Sequence, residues 1–331
     1  MRVLIAAGGT GGHVNPALAV AGEIRKQYPD AEICFVGTAD RIEAKIVPAA
    51  GFPLKTIEIS GFKRGFSPAD IKANVKTVTR LLKSSGAVKK ILNDFKPDVA
   101  VGFGGYVSGP VIRMAAKMGI PTAIHEQNAY PGVTNKALAE KVDAVMLTVE
   151  AAKKHLNCKN EPIITGLPVR GELLTADGDI SRAELGFDQR PLVLCMGGSL
   201  GAEKINNAMK EIIKKHWADV DIMFIHGTGR SEYEEFIKDL ESAGVIIDNK
   251  NLIVKDYLDN TVCLPAADLV VSRAGAISLT EIGVCSKPCI FVPSPNVSEN
   301  HQYFNALSLK KVGASELVEE TEIETLEEKI L

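Results

Sequence analysis

Nowhere in these 331 residues does apolar character run for the roughly 20 uninterrupted positions that a bilayer-spanning helix needs, so no transmembrane segment is expected. The N-terminus lacks a charged n-region and a small-residue cleavage site. MRVLIAAGGTGGH reads instead as a strand entering a glycine loop, which predicts no secretory leader and a protein that stays in the cytoplasm. Cysteine is sparse and unpaired in pattern: the six lie at positions 34, 158, 195, 263, 285 and 289, and Cys285 and Cys289 flank Pro288 without forming a CxxC pair. Reduced, buried thiols and no metal site are therefore expected. Fixed-period repeats and low-complexity tracts are missing too. The one biased stretch is the acidic finish ELVEETEIETLEEKIL, which reads as an incomplete amphipathic helix.

What is present is a soluble, mixed composition, 46% hydrophobic and 24% charged, in a chain too long for one comfortable core and suited to two domains. Net charge is only −3, but residues 1–150 carry 19 Lys and Arg against 13 Asp and Glu (+6), and residues 151–331 carry 19 against 28 (−9). A basic half points to an anionic partner, membrane surface or nucleic acid, unless the imbalance is incidental.

Short β-branched runs alternate with helix-length segments. Residues 3–7, 33–36, 99–103, 122–125 and 144–148 form one series, and 192–196, 222–226, 251–255, 269–272 and 289–293 form a second. Each series predicts a doubly wound α/β domain with a parallel sheet. The break falls in NCKNEPIITGLPVRGE, residues 157–172, where polar, Pro and Gly residues gather; the expected domains are 1–160 and 161–331.

Four glycine loops follow strands. The first is Gly8-Gly9-Thr10-Gly11-Gly12-His13, after which Asn15 and Pro16 read as the cap and first position of a helix. The second, Gly102-Phe103-Gly104-Gly105-Tyr106, precedes a helix started by Pro110. The third is Gly197-Gly198-Ser199-Leu200-Gly201-Ala202, and the fourth runs from Ser272 through Gly275 to Glu281. Helix N-termini at such loops offer free N–H groups and a positive dipole end to anions. The first loop lacks the third glycine of the dinucleotide fingerprint, at Val14, and the P-loop lysine, so neither motif is matched. Four loops in both halves instead suggest diphosphate chemistry in a cleft, with room for two ligands.

Several side chains admit two readings. His13 is a base beside the first loop, or only hydrogen-bonds it. Glu281 holds a ribose diol, or completes a capping box with Ser278. Arg170 neutralises a leaving diphosphate, or is simply solvated. His125-Glu126-Gln127-Asn128, four polar groups at a strand's carboxyl end, read as ligand contacts in preference to core.

GGTGGH (8–13), GFGGYVSGP (102–110), HEQN (125–128), TGLPVR (165–170), GGSLGA (197–202), SRAGAISLTEI (272–282) and NHQYFNA (300–306) together closely resemble, in order, the MurG family of peptidoglycan N-acetylglucosaminyltransferases. The resemblance implies the GT-B fold, two Rossmann-like domains facing a cleft, with no cofactor and no DxD metal site; the triplet Asp177-Gly178-Asp179 reads as a surface-like linker. It implies UDP-N-acetylglucosamine as donor, lipid I as acceptor, an anionic membrane surface as partner and no nucleic acid. Peripheral placement on the cytoplasmic face of the membrane follows. Donor contacts are implied at Arg170, Ser199, Leu258, Ala276, Ile277, Ser278, Leu279, Thr280, Glu281 and Gln302. Thr10, Gly11, Gly12 and Asn128 would lie near the transferred sugar. Gly9, His13, Gly104, Gly105, Tyr106, Glu126 and Asn128 would face the acceptor diphosphate, with His13 as candidate base.

Two departures stand out. Members of that family run some tens of residues longer, and this chain ends at Leu331 inside what reads as the final helix, so a C-terminal element returning to the first domain is expected to be absent. Leu200 replaces a glutamine common in the third loop. Between Phe62 and Phe95, eight Lys and Arg face two Asp. As a helix, residues 69–83 would place Lys72, Lys76, Arg80 and Lys83 beside an apolar face of Ile71, Val75, Val78 and Leu82. Such a stripe suits anionic lipid, or packs on the sheet with its lysines solvated.

Overall fold

The structure, a computed structural model, describes residues 1–59, 84–169, 171–198, 201–219, 221–247 and 250–331. The chain divides into two compact units, Met1–Pro168 and Val169–Leu331. In the first, strands β1 (Arg2–Ala6), β2 (Glu32–Gly37), β3 (Leu54–Thr56), β4 (Val99–Gly102), β5 (Thr122–Glu126), β6 (Ala144–Leu147) and β7 (Ile163–Ile164) form one parallel sheet in the order β3-β2-β1-β4-β5-β6-β7. Because helices cover both faces, its central strands are apolar on both sides. Along β1, Leu4 and Ala6 enter one core with Val36, Val107 and Ile124, while Val3 and Ile5 enter the other with Phe35, Ala17 and Phe103.

The second unit repeats the plan. Strands β8 (Leu192–Met196), β9 (Met223–Gly227), β10 (Leu252–Lys255), β11 (Leu269–Ser272), β12 (Cys289–Phe291) and β13 (Glu316–Leu317) run parallel in the order β10-β9-β8-β11-β12-β13. Val193 and Cys195 of β8 face one core, and Leu192, Leu194 and Met196 the other. Both sheets have the Rossmann strand order, whose direction of winding reverses between β1 and β4 and again between β8 and β11. Ligands of open α/β sheets bind at the carboxyl ends of the strands flanking such a reversal.

Three strands escape the sequence pattern, namely β3, β7 and β13. All lie at sheet edges, and two or three residues are too few to display a period. Strand β7 sits inside the stretch expected to be linker. The acidic finish is not a single amphipathic helix: it supplies β13, a 3-10 turn at Glu320–Thr325 and the short helix Leu326–Ile330. Burial of Val318, Leu326 and Ile330 in one of the two cores of this unit breaks it into these pieces.

Two helix starts also differ from expectation. The helix after the first loop is Gly11–Gln27, with Thr10 at the N-cap, so Pro16 is its sixth residue and not its first. The second is Gly105–Lys117, with Gly104 at the N-cap and Pro110 again sixth. Each proline removes the N–H that Gly12 or Tyr106 would otherwise receive, a cost the buried faces of these helices override. The helices thus begin inside the glycine loops, and their first-turn N–H groups belong to loop residues.

All six cysteines are free; Cys34, Cys195, Cys263 and Cys289 are buried. Burial pushes the Cys263 and Cys289 thiols up to about 11, which keeps them protonated and unreactive. Among the described residues no helix is long and apolar enough to cross a membrane. The basic stripe of Lys72, Lys76, Arg80 and Lys83 lies outside the described residues.

Candidate functional site

All four glycine loops leave the strands that flank the two winding reversals, the first pair following β1 and β4. These two interlock. Gly105 has φ +74° and a side chain there would place Cβ 2.3 Å from the Gly8 carbonyl oxygen; Gly104, at φ +88°, would place one 3.0 Å from Cε1 and Nδ1 of His13. Only glycine permits this approach, because positive φ and absent space both exclude a Cβ. Across the junction, the Tyr106 ring lies 3.3 Å from where a Cβ on Gly9 would be.

Beneath the first loop is a residue the sequence reading missed. Glu43, wholly buried at the start of the helix Glu43–Ala49, accepts hydrogen bonds from the Gly9 N–H (3.1 Å), the Thr38 N–H (3.0 Å) and the Thr38 hydroxyl (2.8 Å). Its carboxylate ties the β1 loop to the end of β2. A Cβ on Gly8 would come 2.6 Å from its Oε1 and one on Gly37 2.6 Å from the Glu43 Cγ, which explains both glycines. In sequence Glu43 is indistinguishable from a solvated glutamate at a helix start.

The strand β5 ends in the HEQN tetrad. His125 is buried and its Nε2 lies 2.9 Å from the Gly166 carbonyl; burial lowers its pKa and holds it neutral. Both oxygens of buried Glu126 are committed within the chain: Oε1 accepts from the Asn128 N–H (2.9 Å) and Nδ2 (3.2 Å), and Oε2 from the Gly132 N–H (3.1 Å) and Asn135 Nδ2 (2.8 Å). Glu126 therefore builds the turn that presents half-buried Asn128. Gln127, also buried, lies 3.2 Å from His13 through Oε1 and Nδ1. Of the first-loop residues, Thr10 and Gly12 are exposed and His13 half-buried.

In the second unit, Gly201 (φ +83°) rests on β9's exit, where a Cβ would meet the Thr228 carbonyl oxygen at 2.3 Å. Asn206 fastens that loop's helix by donating to the Thr228 carbonyl and Glu232, both at 2.8 Å, and faces His226 Nε2 at 3.1 Å. The fourth loop is held by Asn305, which donates to the Ala274 carbonyl (3.1 Å), and by Arg273, which pairs with Glu320 and the Val292 carbonyl. The helix that follows is Ala276–Val284, capped by Gly275. Ser278 is thus its third residue and Glu281 its sixth, so the capping-box reading of Glu281 is excluded. Glu281 is instead 5% exposed, and its Oε2 accepts from Asn260 Nδ2 at 3.1 Å.

Residues 276–280 are all half-buried; the Thr280 hydroxyl donates to the Ala276 carbonyl at 2.9 Å. Leu258 packs its side chain under Gly227 in the core. Gln302 Oε1 accepts from the Ser294 N–H (2.9 Å), leaving the amide NH2 as its donor end. Just before its helix, Glu299 and Asn300 hold φ of 55° and 49°, two successive non-glycine residues in a left-handed conformation of the kind that gathers at ligand sites. The DxD-like triplet is a helix cap: Asp177 accepts from the N–H groups of Asp179 and Ile180. Arg170, Ser199 and Leu200 lie outside the described residues.

Comparison with known proteins gives these loops a context. Residues 3–147 match the glycosyltransferase family 28 N-terminal domain and residues 192–331 its C-terminal domain. The chain is 46% identical to a UDP-N-acetylglucosamine–N-acetylmuramyl-(pentapeptide) pyrophosphoryl-undecaprenol N-acetylglucosamine transferase of Clostridioides difficile, covering 95% of this chain and 76% of the relative. To the protein of the same name from Acetivibrio thermocellus it is 42% identical, over 96% of this chain and 85% of that one. Among solved structures it matches the crystal structure of Acinetobacter baumannii MurG with a TM-score of 0.77 and 27% identity, covering 99% of this chain and 90% of that chain. The UDP-GlcNAc 2-epimerase from Neisseria meningitidis, at 15% identity and TM-score 0.63, shares the fold alone.

Proposed function

Because this chain belongs to glycosyltransferase family 28, we propose that it transfers N-acetylglucosamine from UDP-N-acetylglucosamine to undecaprenyl-diphosphate-linked N-acetylmuramyl-pentapeptide, converting lipid I to lipid II in peptidoglycan synthesis. The observation that carries this is the 42–46% identity to transferases of that name across at least 95% of the chain. The fold, two Rossmann-like units of the GT-B type, accords with it.

In this reading the Val169–Leu331 unit takes the donor. Arg170 and the Ser199 loop hold its diphosphate, residues 276–280 line nucleotide and sugar, Glu281 grips the ribose diol and Gln302 contacts sugar hydroxyls. Since the Leu258 side chain is in the core, its contact with uracil would come from its main chain. The Met1–Pro168 unit takes the acceptor, with Gly9, Thr10, Gly11, Gly12, Gly104, Gly105 and Tyr106 at the diphosphate and the reacting sugar, and Asn128 presented by Glu126. His13 accepts the proton of the muramyl C4 hydroxyl as that oxygen attacks the anomeric carbon. The bond to UDP breaks on the opposite face, so an α-linked donor yields a β-linked product. Charge on departing UDP is stabilised by Arg170 and a helix N-terminus, without divalent metal. The basic stripe of residues 72–83 holds the enzyme at the cytoplasmic face of the anionic membrane.

A transfer assay with labelled UDP-N-acetylglucosamine and a short-chain lipid I analogue tests this. Label should move into the lipid-linked disaccharide only when acceptor is present. Release of an epimerised UDP-sugar without acceptor, and no lipid-linked product, would sink it.

A further inference from the structure

Gln127 has no role in the transfer as described so far, yet it stands between two histidines. Its Nε2 lies 2.9 Å from the Phe103 carbonyl oxygen, 3.1 Å from the His125 carbonyl oxygen and 3.2 Å from His125 Nδ1. Both carbonyls can only accept, which settles the orientation of the amide: the NH2 end faces them, and Oε1 faces His13 Nδ1 at 3.2 Å. Turned round, the amide would set one oxygen against two others where, at 3% exposure, water cannot relieve the repulsion.

His125 agrees with this orientation. Its Nε2 faces the Gly166 carbonyl and so carries the proton, which leaves Nδ1 as an acceptor that shares one of the two Gln127 amide hydrogens with a carbonyl. Burial keeps that ring neutral, as acceptance at Nδ1 requires. At the other end, an amide oxygen opposite His13 Nδ1 demands a proton on that nitrogen. We propose that Gln127 is a positioning residue that holds neutral His13 as its Nδ1–H tautomer, placing the ring's basic lone pair on Nε2.

The inference rests on the reading of His13 as the base and adds which nitrogen does the work. Base catalysis depends on the lone pair being on the nitrogen that meets the hydroxyl, and a histidine's tautomer is set by the hydrogen bond its other nitrogen makes. A carboxylate in this place would also add negative charge behind the ring; an amide fixes the tautomer and the ring plane without charge. Gly104 belongs to the same device, since a Cβ 3.0 Å from Cε1 and Nδ1 would push the ring away from Gln127.

Protein labelled with 15N-histidine reports the tautomer directly in long-range proton–nitrogen correlation spectra, the His13 signals being identified by their loss in His13→Asn. Wild-type enzyme at a pH where His13 is neutral should show protonated Nδ1 and unprotonated Nε2. In Gln127→Met the Nε2–H form should emerge, with kcat lower by roughly 10- to 1000-fold and KM for UDP-N-acetylglucosamine within about two-fold of wild type. A wild-type spectrum with Nε2 protonated would overturn the proposal even if the variant fails to fold, as would a folded Gln127→Met with wild-type kcat. Unchanged kcat in His13→Asn would overturn the base reading, and with it any catalytic purpose for Gln127, while the wild-type spectrum still judges the tautomer separately.

Discussion

If Glu281 holds the ribose diol, replacing it by glutamine separates binding from stability. In the folded protein Glu281 is 5% exposed and sits mid-helix, and its carboxylate accepts from Asn260 Nδ2 at 3.1 Å. Glutamine has the same length, and because the Asn260 amide can turn to present its oxygen, this hydrogen bond can be remade. Glu281→Gln should therefore unfold within about 1 kcal/mol of wild type, the scale of one neutral hydrogen bond. A hydrogen bond to a charged acceptor is worth roughly 1.5–3 kcal/mol, so UDP affinity should fall about 10- to 150-fold. Glu281→Ala removes the acceptor from the half-buried Asn260 amide, adding roughly 0.5–1.5 kcal/mol of destabilisation, at about 2–4 °C in melting temperature per kcal/mol for a unit of this size. Calorimetric titration with UDP and thermal unfolding on all three proteins measure the two quantities. UDP affinity in both variants within about two-fold of wild type, far inside one tenfold step of 1.4 kcal/mol, would refute the ribose contact and with it the assignment of the surrounding donor residues.

If glycine-loop N–H groups and Arg170 stand in for a metal's charge, as proposed, UDP binding should survive EDTA; affinity lost on chelation and restored by magnesium or manganese would refute this. Lys72→Glu/Lys76→Glu/Arg80→Glu should weaken binding to anionic vesicles by about 1 kcal/mol per residue while UDP affinity holds, and unchanged vesicle binding would remove the stripe as an anchor. His226 is fully buried, stacked on Phe236, and burial lowers its pKa to about 3. A depressed folded-state pKa means the unfolded chain binds the extra proton first, so this stability is complete above the unfolded value of about 6.5 and drains by up to ~1.4 kcal/mol per pH unit as pH falls toward 3. Denaturant titrations from pH 7 to 5 should show a shallower loss in His226→Gln, which can still donate to Asn206 but cannot titrate; identical slopes would refute the assignment. His216, whose pKa is raised by Glu327 and then Asp219, contributes stability that is complete below about 6.5 and lost as pH rises through its folded value, so it touches only the upper end of that window and does so equally in wild type and His226→Gln.

The parts legible in the sequence are those whose cause is local. Leu192–Met196 and Leu269–Ser272 match their strands residue for residue, because a strand buried on both faces must be an unbroken apolar run bounded by turns. The glycine loops are legible because an absent Cβ is visible in the residue type itself. Where the cause lies far along the chain, the pattern is silent. Glu43 reaches Gly9 across 34 residues and nothing in the sequence sets it apart from a surface residue; Gln127 stood out only as part of the polar tetrad at a strand's end, and its pairing with His13 across 114 residues has no signature. The helix starts differ from the local rule for a related reason: proline favours the first position, but the first turns of both helices form inside the glycine loops, stabilised by packing that no window of sequence contains.

Strand order is what turns four separate loops into two sites. Alternating strands and helices specify parallel pairing, yet they do not say whether successive crossovers continue in one direction or reverse. In each unit the chain lays down three strands toward one edge, β1 to β3 and β8 to β10, then returns to the far side of the first strand with β4 and β11. Strands β1 and β4 therefore become neighbours although some 90 residues separate them, as do β8 and β11 across some 70. Helices on either side of a reversal diverge to opposite faces of the sheet, opening a crevice at the strands' carboxyl ends. The glycine loops follow those four strands, so in each unit two helix N-termini flank one reversal. An anion there meets two helix N-termini where a single loop elsewhere in the sheet would offer one. That doubling, repeated in both units, is the physical argument behind the proposal of two diphosphate ligands, one for each unit.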